Sequence, residues 1–169
     1  MDKKNTSVIV NALVWGIIIG LVSIVYSVIL YMLNQTFNRA LGYLGLIILI
    51  AGLAIAMKNY RDNILEGILP FGKAFGFGIL IVLFSALIGT IYAYLLYEVI
   101  DPGLLERMRE FQADKMLERG LTEDQVEQAL ELSKRFMKPV LLFITGLVGN
   151  LLVGVVISLI MAAIFRKEE

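Results

Sequence analysis

The sequence predicts an all-α integral membrane protein: a four-helix bundle with an extracytoplasmic helical hairpin between its third and fourth spans. Three observations carry this prediction. Of 169 residues, 59% are apolar and the mean hydropathy is +0.81. That is more apolar surface than a soluble domain of this length can bury. Four apolar runs are long enough to cross a bilayer, and the polar stretch between the last two carries paired helix-start and helix-stop signals.

Val8–Leu33 is a 26-residue run interrupted only by Asn11, Ser23 and Ser27. Leu41–Met57 has 17 residues, Ala74–Tyr97 has 24 and Val140–Phe165 has 26, none of them charged. A helix needs roughly 20 residues to cross the ~30 Å hydrocarbon core. The second run is short and the outer two are long, so tilt or ends reaching into the headgroups are expected. A chain that spans in this way is helical, because lipid offers no partners for backbone groups. The first run follows "MDKK", as a signal peptide would. It greatly exceeds the usual ~7–15 apolar residues and no small-residue cleavage site closes it, so it reads as a retained helix. The whole chain reads as one membrane domain.

Four spans place both termini on one side. That side carries Lys3, Lys4, Lys58, Arg61, Lys73, Arg166 and Lys167, all close to helix ends. The other carries Arg39 and seven basic residues spread over residues 98–138 among ten acids. Basic residues near helix ends govern insertion. Both termini are therefore expected in the cytoplasm. Tyr31, Tyr43, Tyr94 and Tyr97 then fall at the outer ends, where amphipathic rings favour the interface.

The third loop, Glu98–Lys138, reads as a helical hairpin. Asp101 is placed as an N-cap with Pro102 at the first helical position, and Gly120 as the C-cap. "TEDQ" is a capping box in which Thr122 caps and Gln125 reaches back. Leu104, Leu105, Met108 and Phe111 form a partial apolar stripe on the first helix. Val126, Leu130 and Met137 form one on the second. These stripes are expected to pack on each other or on the outer face of the bundle. A docking surface for a protein partner, or a lid, is the sharper reading. Most of the loop's net charge, 7 − 10 = −3, belongs to a solvated face.

The loop "KNYRDNILEGILPFGKAFGFG" mixes apolar, charged and glycine residues. Ile64, Leu65, Ile68 and Leu69 are expected along the interface as a short amphipathic helix, ended by Pro70. Gly72, Gly76 and Gly78 open the third span. Their spacing matches no nucleotide motif, and close helix packing is the expected explanation.

Within the fourth span, every fourth residue from Gly146 is small or polar: Gly146, Asn150, Gly154, Ser158, Ala162. Residues at this spacing share a helix face. Spans associate where small residues let backbones approach and polar groups bond across the gap. Gly16 and Gly20 offer a matching surface on the first span, continued by Ser23 and Ser27. Gly78, Ser85, Ala86, Gly89 and Ala93 offer one on the third. Asn150 is therefore expected to face a neighbouring helix near mid-membrane and to hydrogen-bond it. The same face also suits a homo-oligomer contact.

Taken together, the stretches "WGIIIGLVSI", "ILPFGKAFGFG", "IDPGLLE", "GLTEDQVEQAL" and "VGVVISLIMAAIFRKEE" resemble a family of bacterial inner-membrane proteins catalogued as domain of unknown function 4199. The resemblance covers nearly the whole chain. It implies a four-helix integral membrane protein with an extracytoplasmic helical insert. It implies no activity and carries over no catalytic residues.

The composition limits the chemistry. Cysteine and histidine are absent, which removes thiolate chemistry, disulfides and the commonest general base and metal ligand. Fifteen basic and fifteen acidic residues cancel, and no basic patch argues for nucleic acid. No catalytic, cofactor-binding or metal-binding residue is assigned. An accessory or scaffolding protein is the favoured reading, with lipid, a partner at the hairpin and a second copy of the chain as its contacts. The alternative is a small oligomeric transporter or channel for a neutral solute. Intramembrane ionisable groups, which mark ion and proton paths, are absent, leaving Asn11, Asn150, hydroxyls and tyrosines to line a path. A membrane enzyme built on Glu98 and Asp101 beside Tyr94 and Tyr97 is the least favoured: Asp101 is better explained as a cap.

Overall fold

A computed structural model describes residues 3–136 and 139–167, with side chains for 8–134 and 140–167. The Met137 of the second hairpin stripe lies outside the described residues, as does Lys138. The side chains of Lys3 and Lys4 do too.

Every named element is helical. α1 spans Lys3–Met32, α2 Arg39–Asn63, α3 Phe71–Leu95, α4 Leu104–Glu118, α5 Glu123–Phe136 and α6 Pro139–Phe165. α1, α2, α3 and α6 are long and apolar enough to cross a membrane. Two compact units can be described: residues 1–89 with 147–169, and residues 90–146.

In the first unit α1 packs against α2. The turn between them has Asn34 in the left-handed region, which asparagine tolerates better than most residues. Asn38 then caps α2, its side chain accepting from the Ala40 and Leu41 amides at 3.0 and 3.5 Å. The Tyr26 hydroxyl donates to the Leu41 carbonyl at 2.7 Å and ties α1 to the first turn of α2. α2 runs to Asn63, well past the expected limit at Met57. The second span is thus 25 residues long rather than short. Lys58, Arg61 and Asp62 continue its helix, because charged residues reaching the headgroups end a hydrophobic run without ending a helix.

The expected amphipathic helix at 64–69 is absent. Glu66 and Gly67 have φ of 54° and 92°, a left-handed turn that no α-helix can cross. Leu69 instead exchanges two backbone hydrogen bonds of 2.9 Å with Lys167, which fastens this turn to the end of α6. The core of the unit lies behind it. Leu53, Ala56, Met57, Tyr60, Phe77, Ile81, Ile157 and Met161 are all buried there.

In the second unit α3 ends in a π-helical turn, Leu96–Ile100, three residues beyond the expected limit. α4 and α5, joined by residues 119–122, pack on each other. Leu104 and Val126 are buried. Phe111 does not join them. It is exposed, with the Lys115 ammonium 5.7 Å from its ring centroid. Ala113 and Leu117 line the groove between the two helices, together with Val126 and Leu130.

Candidate functional site

The residues singled out by the sequence fall into three groups. Some are helix contacts within the chain, some are hairpin caps, and some remain open.

The contacts are tight. A Cβ on Gly16 would lie 2.5 Å from the Phe84 Cβ and 3.1 Å from the Ile81 carbonyl. One on Gly20 would lie 3.2 Å from Ile88. Glycine at both positions lets α1 and α3 approach at backbone distance, where dispersion and packing drive association in lipid. Gly154 of α6 sits against Val82 so closely that any Cβ would overlap its side chain. At Gly78 a Cβ would lie 3.0 Å from Ser158 and 2.6 Å from the Met57 Sδ-methyl. α3 and α6 thus meet along Gly78, Val82, Gly154 and Ser158. Ser158 is fully buried and its hydroxyl has no partner among the described residues.

A further contact is not evident from the sequence. A Cβ on Gly52 would lie 2.6 Å from Ile19, where α2 crosses α1. The "AGLA" around it was the available signal, but the bare pattern names no partner.

The caps divide. Thr122 and Gln125 close a capping box: the Thr122 amide donates to Gln125 Oε1 at 3.0 Å, and the Gln125 amide to Thr122 Oγ1 at 3.4 Å. Gly120 follows the helix end with φ of 86°. Its amide donates to Leu117 at 2.8 Å, and the Leu121 amide donates to Met116 at 3.2 Å. This pair of bonds is a Schellman motif. The start of α4 differs from expectation. Its first residue is Leu104 and its N-cap is Gly103, with no side-chain cap bond. Asp101 closes the π-helical turn instead, and its carboxylate pairs with Arg107. Pro102 lies in the turn before the helix. The reason is local: α3 winds on to Ile100, so Asp101 ends one helix before it can begin another.

The open residues are the informative ones. A Cβ on Gly72, Gly76, Gly146 or Gly149 would meet nothing within 4 Å. Packing among the described residues therefore does not explain these four glycines. Asn150 lies on the exposed surface of α6. Its carboxamide has no hydrogen-bond partner among the described residues. The face that α6 turns inward consists of Gly154, Ile157, Ser158, Met161 and Ala162. At 3.6 residues per turn, Asn150 falls between Ile157 and Met161 on that face, one turn beyond its last seated residue, Gly154. Gly149 and Val153 lie farther round on the same exposed side. Asn11 differs: it is half-buried and has a partner within the chain.

A family model described as "Protein of unknown function (DUF4199)" matches residues 14–167. No curated protein and no solved structure matches the chain.

Proposed function

The chain belongs to the DUF4199 family, and from that premise we propose that it is an accessory or scaffolding protein of the membrane, working by association of α6 with a helix outside its own fold. One observation carries this reading: the exposed carboxamide of Asn150, without a partner among the described residues, in the middle of an apolar span. An amide facing hydrocarbon without a hydrogen bond costs on the order of 4–8 kcal/mol. A partner helix that bonds it recovers part of that cost, about 0.6–2 kcal/mol. Gly146 and Gly149, open on the same helix, let a second backbone come close. The carboxamide is both donor and acceptor, so a second copy of the chain can satisfy it as well as a different protein can.

Two features support a binding role over solute transport. The buried cluster of the first unit is apolar, which gives a polar path within one chain few groups to line it. The α4–α5 groove, about 370 Å³ and edged by five glutamates together with Arg109 and Lys134, gives the hairpin a mixed, net acidic surface for a partner. We place both termini in the cytoplasm of a bacterial inner membrane, on the density of basic residues at the ends of α1, α2 and α6.

The test is the composition of the native assembly. Gentle extraction and mass measurement of the intact complex should give a species heavier than one chain at fixed stoichiometry. The Asn150→Leu variant should shift it towards the single chain. A wild-type protein found only as a single chain would contradict the proposal.

A further inference from the structure

A cavity of about 900 Å³ opens beside the left-handed turn at 66–67, lined by the end of α2, that turn, the first turns of α3 and Val8 of α1. Its size is within the ~300–1,000 Å³ usual for small-molecule sites. The described residues do not fill it. Gly72 and Gly76 line it, and both are open where a side chain would stand. The floor is rigid and apolar: Tyr60 and Phe77 stack with ring centroids 4.1 Å apart and are buried. Apolar side chains such as Ile68 and Leu80 make up much of the wall.

Two charged groups line the same cavity, Glu66 and Lys73. Neither has an ion-pair partner among the described residues. They are of opposite sign, so the cavity offers one anchor for an anion and one for a cation beside an apolar wall. The first turn of α3 lies at the anionic side with Lys73, and a helix N-terminus adds a favourable field for a phosphate. The backbone at Glu66 is held left-handed, at a cost of about 1 kcal/mol or more for a non-glycine residue. The cavity also sits at the boundary of the spans. It lies where α2 ends and α3 begins, and the turn that lines it is bonded to the end of α6 through Leu69 and Lys167.

We propose that this cavity holds one phospholipid with a primary-amine zwitterionic headgroup, of the phosphatidylethanolamine class. Lys73 takes the phosphate, Glu66 takes the ammonium, and the apolar wall takes the start of an acyl chain. Charge complementarity selects this occupant. A phosphatidylglycerol lacks a cation for Glu66. A phosphatidylcholine presents a quaternary ammonium with no N–H to donate. Basic pockets at span ends are known headgroup sites, and the acid in this one sets the preference. The inference goes beyond the association of α6 and shares no residue with it.

The experiment uses the purified full chain in mixed micelles of stated composition, read by native mass spectrometry. With equimolar palmitoyl-oleoyl phosphatidylethanolamine, phosphatidylglycerol and phosphatidylcholine, one phosphatidylethanolamine should be retained at least tenfold over either of the others. Glu66→Gln should abolish the preference over phosphatidylglycerol. Lys73→Gln should lower retention of both phosphatidylethanolamine and phosphatidylglycerol. Gly76→Leu, which fills open space, should abolish retention while helicity by circular dichroism stays at the wild-type value. Equal retention of the three lipids, or unchanged retention in Glu66→Gln, would overturn the proposal. So would displacement of the lipid by soluble glycerophosphoethanolamine at equal concentration, because the acyl chain would then contribute nothing. Lipid preference in a protein that proves to be a single chain would separate this inference from the association of α6.

Discussion

α6 contains two stretches of nearly identical composition and opposite environment. From Gly154 to Ala162 its small residues are seated against the chain: Gly154 meets Val82 and Ser158 meets Gly78. From Gly146 to Val153 the glycines are open, and Asn150 has no hydrogen-bond partner among the described residues. In water this contrast would carry little meaning, since an exposed carboxamide is at ease there. In hydrocarbon the exposed carboxamide of Asn150, with two donors and an acceptor, carries a larger demand than the single unbonded hydroxyl of Ser158. The lower stretch is packed within one chain and the upper is not.

Substitutions can break that contrast in either direction. The largest effect is expected at the seated end. Gly154→Leu should cost about 3 kcal/mol or more, because the new side chain overlaps Val82 with no room to turn. Chemical or thermal unfolding in detergent reads this. Gly149→Leu is the control at the open end: it meets nothing and should leave the bundle as stable as before, or slightly more stable from helix propensity. It should weaken association instead.

Next comes Asn150→Leu. An interhelical bond from such a side chain is worth about 0.6–2 kcal/mol, so the dissociation constant should rise roughly 3- to 30-fold. Energy transfer between labelled chains in vesicles, or exchange with a labelled partner, measures it. Unfolding of the single chain should be unchanged.

Thr122→Ala sharpens the contrast from the other unit. Loss of the capping box should destabilise α5 by about 1 kcal/mol, seen as faster amide exchange at its first turn. Association through α6 should be unaffected. The smallest effect is expected at Ser158. Its buried hydroxyl is unbonded among the described residues, so Ser158→Ala should raise stability by up to about 1 kcal/mol.

The spans and the capping box were legible in the sequence because each is a local pattern. A run of apolar residues and a Thr-x-x-Gln spacing carry their meaning within a few turns. The start of α4 misled for the same local reason: Asp101-Pro102 is a good N-terminal signal, and only the persistence of α3 through Leu96–Ile100 overrides it. The bond between Leu69 and Lys167 joins residues almost a hundred positions apart, and no local pattern announces it. The glycines show the limit most clearly. Gly76 and Gly78 are two positions apart in one helix, yet one is open and the other is packed against Met57 and Ser158. Composition identifies both as small. Which of them touches something depends on where the other helices lie. The cavity was hinted at only by a loop whose mixture of glycine, charge and apolar residues fits neither a span nor a solvated turn.

The most direct test asks what stands beside the open face of α6 in the membrane. The chain contains no cysteine or other competing thiol, so a single Val153→Cys variant can carry a benzophenone cross-linker on Asn150's side of the helix. A Leu159→Cys variant carries it on the opposite side. Both residues are about half exposed. On illumination in native membranes, position 153 should yield a protein adduct of one defined mass, lost when Asn150→Leu is added, while position 159 yields lipid adducts alone. Lipid adducts alone at both positions would contradict the account.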